Sequence, residues 1–107
     1  MKTINRFMVN GNIGAINRFE KATKINVATD NSWIDEKGVR QESTDWVTVT
    51  VLDERIADYV SENANPGDAI VATGKMKNTS FKRGNDTVYN TDLIANVVNV
   101  FPKGSTR

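Results

Sequence analysis

The chain contains neither cysteine nor histidine among its 107 residues. Their absence excludes disulfides, a thiol nucleophile, zinc sites of the usual kind and the commonest general base. No apolar run approaches the roughly 18 residues of a membrane-spanning helix, and the N-terminal residues do not resemble a signal peptide. We therefore expect a cytoplasmic protein that is not an enzyme, needs no metal or cofactor and has no membrane partner.

What the sequence does contain is typical of one soluble domain. Its length, with 38% hydrophobic and 25% charged residues, matches a single globular unit. A chain of this size buries roughly two-thirds of its unfolded surface, so we expect function on a face or groove rather than in a deep cavity. We predict one domain over residues 1–102 and a short flexible tail over residues 103–107.

The formal net charge of +1 conceals a segregation of signs along the chain. Residues 1–24 carry five basic side chains against one acid, residues 75–83 carry four and no acid, and residues 25–74 hold ten acids against three bases. The two basic segments form a polyanion-binding surface if they converge, and otherwise are solvated faces. We predict phosphate contacts for Arg6, Arg18, Lys21, Lys24, Lys75, Lys77, Lys82 and Arg83.

Apolar and polar residues alternate over short stretches, and only one segment has helical spacing. Strands are predicted at residues 5–13, 23–30, 45–52, 69–77 and 87–101. Asp53 suits the N-cap of a short helix in which Tyr59 belongs to the core, and residues 78–86 are predicted to be a basic hairpin loop. This order predicts an all-β fold, a five-stranded Greek-key barrel of the OB-fold type with one short helix between strands 3 and 4.

Trp46 lies on what should be the polar face of its own strand. Alternation within residues 45–52 sends three valines to one face and Trp46 to the other, together with Leu52 and two threonines. The valine face is typical of a core, so the Trp46 ring is expected to face outward. An outward tryptophan among hydroxyls is either a platform for stacking a flat ligand or a side chain covered by a loop or a subunit.

Two further aromatic residues, Trp33 and Phe81, stand beside polar or basic residues rather than within apolar runs. Aromatic rings stack on unpaired bases at about 1–3 kcal/mol per base, and neighbouring lysine or arginine side chains follow the phosphates. We predict Trp33, Trp46 and Phe81 as stacking residues. The other phenylalanines are assigned to core packing: Phe7, Phe19 and Phe101.

Four segments of the chain carry a specific combination of motifs. They are residues 5–14 with V-x-G-N-I-G, residues 27–33 with A-T-x-x-S-W, residues 44–46 ending in Asp-Trp, and residues 67–76. In this order they resemble the bacterial single-stranded DNA-binding protein (SSB) family. The resemblance implies an OB barrel that binds single-stranded DNA in replication, recombination or repair. It also implies a homo-oligomer, a tetramer in preference to a dimer.

The resemblance implies roles for individual residues as well. Trp33 and Trp46 match two of the positions on which bases stack in that family, and Phe81 matches a third. The fourth position, a phenylalanine on strand three, is Leu52 here, which implies a shorter stacking platform. The family's disordered linker and acidic C-terminal tip have no counterpart in this sequence, which corresponds either to the core of a longer chain or to a tail-less member of the family, so no tail-mediated protein partner is assigned.

Two alternative functions remain open. The first is an OB-fold interaction module that docks a protein partner through the Trp46 face. The second is an RNA-binding protein, because stacking platforms tolerate ribose. Competition between DNA and RNA oligonucleotides distinguishes DNA binding from RNA binding. A Trp46→Ala variant that keeps its DNA affinity but loses a protein partner would indicate the interaction module.

Overall fold

The computed structural model of the chain describes residues 1–103. Its elements, in chain order, are β1 (Phe7–Arg18), β2 (Thr23–Asp30), β3 (Trp33–Ile34), β4 (Arg40–Gln41), β5 (Thr44–Val51), α1 (Glu54–Asn63), β6 (Ala69–Arg83) and β7 (Asp86–Phe101). Five of the strands form a closed barrel in the order β1-β2-β5-β7-β6, while β3 and β4 pair as a separate hairpin. The predicted all-β barrel is confirmed, with α1 between its third and fourth strands, β5 and β6. The predicted tail lies outside the described residues except for Lys103.

The barrel core is built from alternate residues of each strand, as the period of two in the sequence requires. Ile25 and Val27 of β2, Val49 and Val51 of β5, and Ile70 of β6 are fully buried. The barrel is closed where β5 runs parallel to β7, with Val49 opposite Leu93. Closure removes the exposed sheet edges that five short strands would otherwise leave.

Helix α1 begins where its cap was expected. The Asp53 carboxylate accepts hydrogen bonds from the backbone N–H groups of Arg55 at 2.8 Å and Ile56 at 3.3 Å, which satisfies two donors that the first turn leaves free. Val60 is fully buried against the barrel. Tyr59 is only partly buried, and its hydroxyl accepts a hydrogen bond from the Val100 N–H at 3.1 Å, so it ties the helix to β7.

The hairpin between the last two strands has its predicted tip at Gly84-Asn85, but the prediction that all of residues 78–86 form a loop is wrong. Strand β6 continues to Arg83, which pairs with Asp86 of β7, so only Gly84 and Asn85 form the turn. Gly84 has φ +64° and Asn85 does not have a positive φ, the pattern of a type II′ turn. We call residues 77–92 the arm, since β6 and β7 pair only with each other there. Its polar sequence is compatible with strands because side chains bond across the pair, as Thr79 Oγ1 does to Asp92 Oδ2 at 2.9 Å.

Candidate nucleic-acid interface

Trp46 lies at one end of the exposed face of the β1-β2-β5 sheet. It stands near the start of β5, directly opposite Ala28 of β2, and 62% of its surface is exposed. Its strand neighbours Val49 and Val51 point into the core, so the outward orientation expected from alternation is confirmed. Thr50 of the same strand is buried, at the point where β7 joins β5 in parallel.

The Trp46 ring lies over a glycine. Strand β1 has an irregularity between Ile13 and Ala15, and Gly14 sits at that point. A Cβ built on Gly14 would overlap Cζ3 of the Trp46 ring and lie 2.7 Å from Cη2. The ring can therefore rest on the backbone of β1 only because position 14 has no side chain.

Polar side chains continue this face away from Trp46. Asn26 of β2 is opposite Thr48 of β5, whose hydroxyl contacts Asn26 Oδ1 at 3.1 Å. Two residues away on β2, on the same face, Lys24 is exposed and is paired with Asn17 of β1 on one side and with Thr50 of β5 on the other. We call this row of residues, from Trp46 to Lys24, the Trp46 face. It offers an aromatic ring, amides and one ammonium group to a ligand lying along it.

Trp33 lies on the β3-β4 hairpin, which extends the β2-β5 pair beyond the barrel. The Asn31 N–H donates to the Ser43 carbonyl at 2.9 Å, so the two chain segments stay together past the end of β2. Trp33 is opposite Gln41, and 56% of its surface is exposed. Both tryptophans that match the family's stacking positions are therefore accessible: Trp33 lies in the segment that joins β2 to β5, and Trp46 lies near the start of β5.

Two aspartates organise this hairpin. Asp35 accepts hydrogen bonds from the Lys37 and Val39 N–H groups, both at 2.9 Å, and from the Gln41 amide at 3.0 Å. The bonds from Val39 and Gln41 hold the pKa of Asp35 below its ordinary value. Asp30 has a lowered pKa as well, chiefly because the Ser32 hydroxyl and N–H donate to it. Both carboxylates are stabilised in the charged form by the hairpin's own donors.

The arm carries Phe81 and most of the second basic segment. Phe81 is 47% exposed and stands opposite Val88. By strand parity, Lys75, Lys77 and Arg83 share its side of β6, whereas Lys82 faces the other way. Arg6 joins them at the base of the arm, where it lines a groove with Lys75. Next to it, the Asn5 side chain bonds both backbone groups of Met76, at 2.7 and 2.9 Å.

The other three basic residues lie at the opposite end of β1 and on β2. Lys24 is on the Trp46 face, and Lys21 is exposed in the turn that joins β1 to β2. Arg18 is engaged by helix α1, since its guanidinium donates to Asp58 at 2.7 Å and to Ser61 at 2.9 Å. The fold thus divides the predicted phosphate-binding residues into an arm group and a β1-β2 group, and an acid of α1 offsets the charge of Arg18.

Sequence reasoning missed two features of this surface. Phe19, assigned to packing, is 58% exposed, so that assignment is wrong. Its position between Arg18 and Glu20-Lys21, outside any apolar run, was a signal of exposure. The contact between Gly14 and Trp46 had no such signal, because 31 residues separate the two in the sequence. No group of three or more acids, histidines or cysteines in residues 1–103 could hold a metal ion. None of the helices in that range is long and apolar enough to cross a membrane.

Comparison with known proteins adds independent observations. A curated relative, the single-stranded DNA-binding protein of Rhizobium meliloti (strain 1021), is 29% identical over 101 residues. The match covers 86% of this chain but only 58% of the relative, so the chain spans little more than half of that protein's length.

Solved structures share the fold. The structure described as the Plasmodium falciparum SSB complex with ssDNA superposes with a TM-score of 0.72 at 20% identity, covering 94% of this chain and 96% of that one. The mitochondrial single-stranded DNA binding protein of S. cerevisiae superposes with a TM-score of 0.69 at 19% identity, covering 96% of this chain and 100% of that one. The model of the single-strand binding protein family matches residues 4–101, nearly the whole sequence. The chain therefore belongs to the single-strand binding protein family.

Proposed function

We propose that this protein binds single-stranded DNA without sequence preference and without catalysis, through a DNA-binding domain over residues 1–102. The observation that carries the proposal is the exposed Trp46 ring, held over Gly14 at the start of a polar sheet face. Family membership supports it, since proteins of this family are non-enzymatic DNA-binding proteins. We assign to it the protection of single-stranded DNA during replication, recombination or repair. We place this function in the cytoplasm and assign no cofactor to it.

Bases are bound by stacking in this proposal. Trp46, Trp33 and Phe81 each expose about half or more of their surface, and each stacked base contributes about 1–3 kcal/mol. The bases of a duplex are already stacked and paired, so their faces are not free for these rings. Selectivity for single strands follows from this difference, and the absence of sequence preference follows because every base has an aromatic face.

The basic residues of β6 bind phosphates with unequal strength in this proposal. Lys77 is directly opposite Asp92, and Arg83 is opposite Asp86, so an acid offsets each of these charges. Lys75 is opposite Ile94, and Lys82 is opposite Thr87, which leaves their charges without a facing acid. We assign the larger share of phosphate neutralisation on β6 to Lys75 and Lys82, with Arg6 beside Lys75.

We also propose that the protein is a homo-oligomer, a tetramer in preference to a dimer. An apolar patch supports association with further copies of the chain. Met8 of β1, Thr73 of β6 and Val97 of β7 stand side by side in one row across three strands. Met8 and Val97 are exposed, and both line one groove on this face. Exposed apolar side chains that lie together in this way mark an association surface in soluble proteins.

The proposed function is tested by titrating the protein with oligo-dT while following tryptophan fluorescence. We expect quenching on binding and recovery when salt is added, because released counterions oppose binding at high salt. Trp46→Ala should weaken binding by about 1–3 kcal/mol, the value of one stacked base. A matched control is Val39→Ala, which shortens an exposed side chain on the same β2-β5 connection without removing an aromatic ring.

Three outcomes distinguish the alternatives. If quenching is absent, or duplex DNA competes as well as single strands, the proposal is wrong. If oligo-U competes better than oligo-dT, the ligand is RNA. If Trp46→Ala keeps its DNA affinity but loses a protein partner, the Trp46 face belongs to an interaction module.

A further inference from the structure

Phe19 is an exposed aromatic ring that the proposed interface does not use. It follows the last residue of β1 and begins the tight turn into β2, where its N–H donates to the Ala22 carbonyl at 2.7 Å. This bond closes the turn and fixes the backbone at both of its ends. The side chain of Phe19 is 58% exposed, so no packing contact accounts for an aromatic residue at this position.

A groove of about 290 Å³ lies beside this ring, between the β1-β2 turn and the start of α1. Phe19 and the exposed Leu52 line it, so part of its surface is apolar. Thr23 also lines the groove and is 1% exposed. Its Oγ1 is buried and has no hydrogen-bond partner within residues 1–103, and an unsatisfied buried hydroxyl is costly. The groove therefore offers an aromatic ring and an aliphatic wall to a ligand, while the Thr23 hydroxyl lies buried beneath its surface.

The groove lies in line with the Trp46 face. Leu52 follows Trp46 by six residues along β5, a separation of about 20 Å in an extended strand. Lys24 stands between them, beside Thr50. The distance is compatible with one strand passing from Trp46 to the groove, since one OB fold covers about 4–16 nucleotides.

We infer that the groove between the β1-β2 turn and α1 is a further nucleobase-binding site, in which Phe19 stacks on an unpaired base of a strand that also contacts Trp46. This inference rests on the proposed function. The charges around the groove favour stacking over phosphate binding there. Lys21 is accompanied by Glu20 and Glu54, and Arg18 is already paired with Asp58. Lys24 binds the phosphate before the groove, and the Phe19 ring stacks on the base.

A reporter variant tests the site directly. In a Trp33→Phe/Trp46→Phe background, which keeps aromatic rings at both positions, Phe19→Trp places the only tryptophan beside the groove. We expect its fluorescence to be quenched by oligo-dT of about 16 nucleotides, the upper end of the OB-fold range. Binding itself is followed independently, by the anisotropy of a labelled oligonucleotide.

Affinity measurements on the otherwise native chain complete the test. Phe19→Ala and Phe19→Leu should both weaken oligo-dT binding by at least about fivefold, the lower end of the effect of losing one stacked aromatic. Phe19→Leu keeps an apolar side chain, so its loss of affinity identifies stacking rather than general apolar contact. Tyr89→Ala is the matched control, because Tyr89 is an exposed aromatic on the side of the arm away from Phe81 and should leave affinity unchanged.

The outcomes separate the two proposals. If labelled oligo-dT binds, but the Phe19→Trp reporter is not quenched and Phe19→Ala keeps its affinity, the inference is wrong and the proposed function stands. If Phe19→Leu binds as well as the native chain while Phe19→Ala does not, the groove holds an apolar contact and the stacking role is wrong. If the native chain does not bind oligo-dT at all, both proposals fail.

Discussion

At the scale of single residues, Gly14 controls the position of the Trp46 ring. An exposed tryptophan with free rotation would lose side-chain entropy on stacking, which reduces the net gain from each base. Here the six-membered part of the ring lies against β1 at Gly14, in a space that any Cβ at position 14 would fill. More than half of the side chain remains exposed to a ligand. The ring is thus oriented before a base arrives, and the orientation depends on a residue with no side chain.

We expect Gly14→Ala to weaken oligo-dT binding by about as much as Trp46→Ala, roughly 1–3 kcal/mol, because the displaced ring no longer presents its face to the strand. Stability should change little, since the ring is exposed and can rotate away instead of straining the core. Fluorescence titration and thermal unfolding measure the two effects. The double variant Gly14→Ala/Trp46→Ala is the control and should bind no more weakly than Trp46→Ala alone. An unchanged affinity in Gly14→Ala would contradict this account.

At the scale of elements, the β3-β4 hairpin that carries Trp33 depends on two charged carboxylates. Because the pKa values of Asp30 and Asp35 are lowered in the folded hairpin, their contribution to its stability is complete above the ordinary value of 3.8. It is lost as the pH falls through the lower, folded-state values. The order of the hairpin should therefore be constant at neutral pH and sensitive only to acid.

In a Trp46→Phe variant the emission reports Trp33 alone. We expect it to be constant from about pH 8 to about pH 4 and to change only below the ordinary value of 3.8, as the pH falls through the lowered folded-state pKa values of the two aspartates. Asp35→Asn should shift the emission already at neutral pH, because the amide NH2 that replaces Oδ2 cannot accept the bond from Gln41, and the neutral oxygen accepts the bonds from Lys37 and Val39 more weakly. Glu36→Gln removes the same charge from the same turn and should have no effect. A transition near neutral pH would rule out this role for the two aspartates.

The basic residues of β6 should contribute unequally to the salt dependence of DNA binding. We expect Lys75→Ala and Lys82→Ala each to reduce the slope of log affinity against log salt by about 0.7, the value for one phosphate contact on a single strand. Lys77→Ala and Arg83→Ala should each have a smaller effect, because Asp92 and Asp86 stand opposite them. Arg55→Ala, an exposed position on α1, is the control. Equal slopes for all four β6 variants would show that the facing acids do not matter.

At the scale of the whole molecule, the apolar patch on β1, β6 and β7 lies on strands that also carry the arm. Association through this patch would cover Met8 and Val97 and leave the Trp46 face, on β2 and β5, open to a strand. Arg6 and Lys75 line the same groove as Met8 and Val97, so association would also restrict their access to phosphates. Several copies would then present several Trp46 faces to one strand. Multivalent binding of this kind raises overall affinity without any new contact between protein and DNA.

We expect light scattering to give a mass of several chains, and Met8→Glu to lower it, because a charge buried at an apolar contact has no partner. Ile34→Glu is the matched control, since Ile34 is equally apolar and exposed but lies on the β3-β4 hairpin. The mass should be compared with and without oligo-dT. A single-chain mass for the native protein, or equal masses for the two variants, would remove this patch from the assembly.

Much of this protein was determined by short-range sequence pattern. Strand β2 begins and ends at the predicted residues, and Asp53 caps α1 as expected. The outward direction of Trp46 followed from alternation alone. Strand parity and helix capping depend on sterics and hydrogen bonds within a few residues, so the local sequence contains what they need. Similarly, the family motifs lie within short segments, which is why the sequence alone predicts the fold class and the candidate stacking residues.

Only the tertiary structure decided which residues meet. Barrel closure places Gly14 under Trp46, pairs Arg18 with Asp58 and leaves Phe19 exposed beside Leu52. The arm likewise forms strands because each polar residue of β6 finds a partner on β7. These contacts join residues far apart in the chain, and their geometry depends on the twist and register of all five barrel strands. Local pattern thus identified the aromatic residues, whereas the orientation of the Trp46 ring and the sharing of charge among the basic residues follow from the closed barrel.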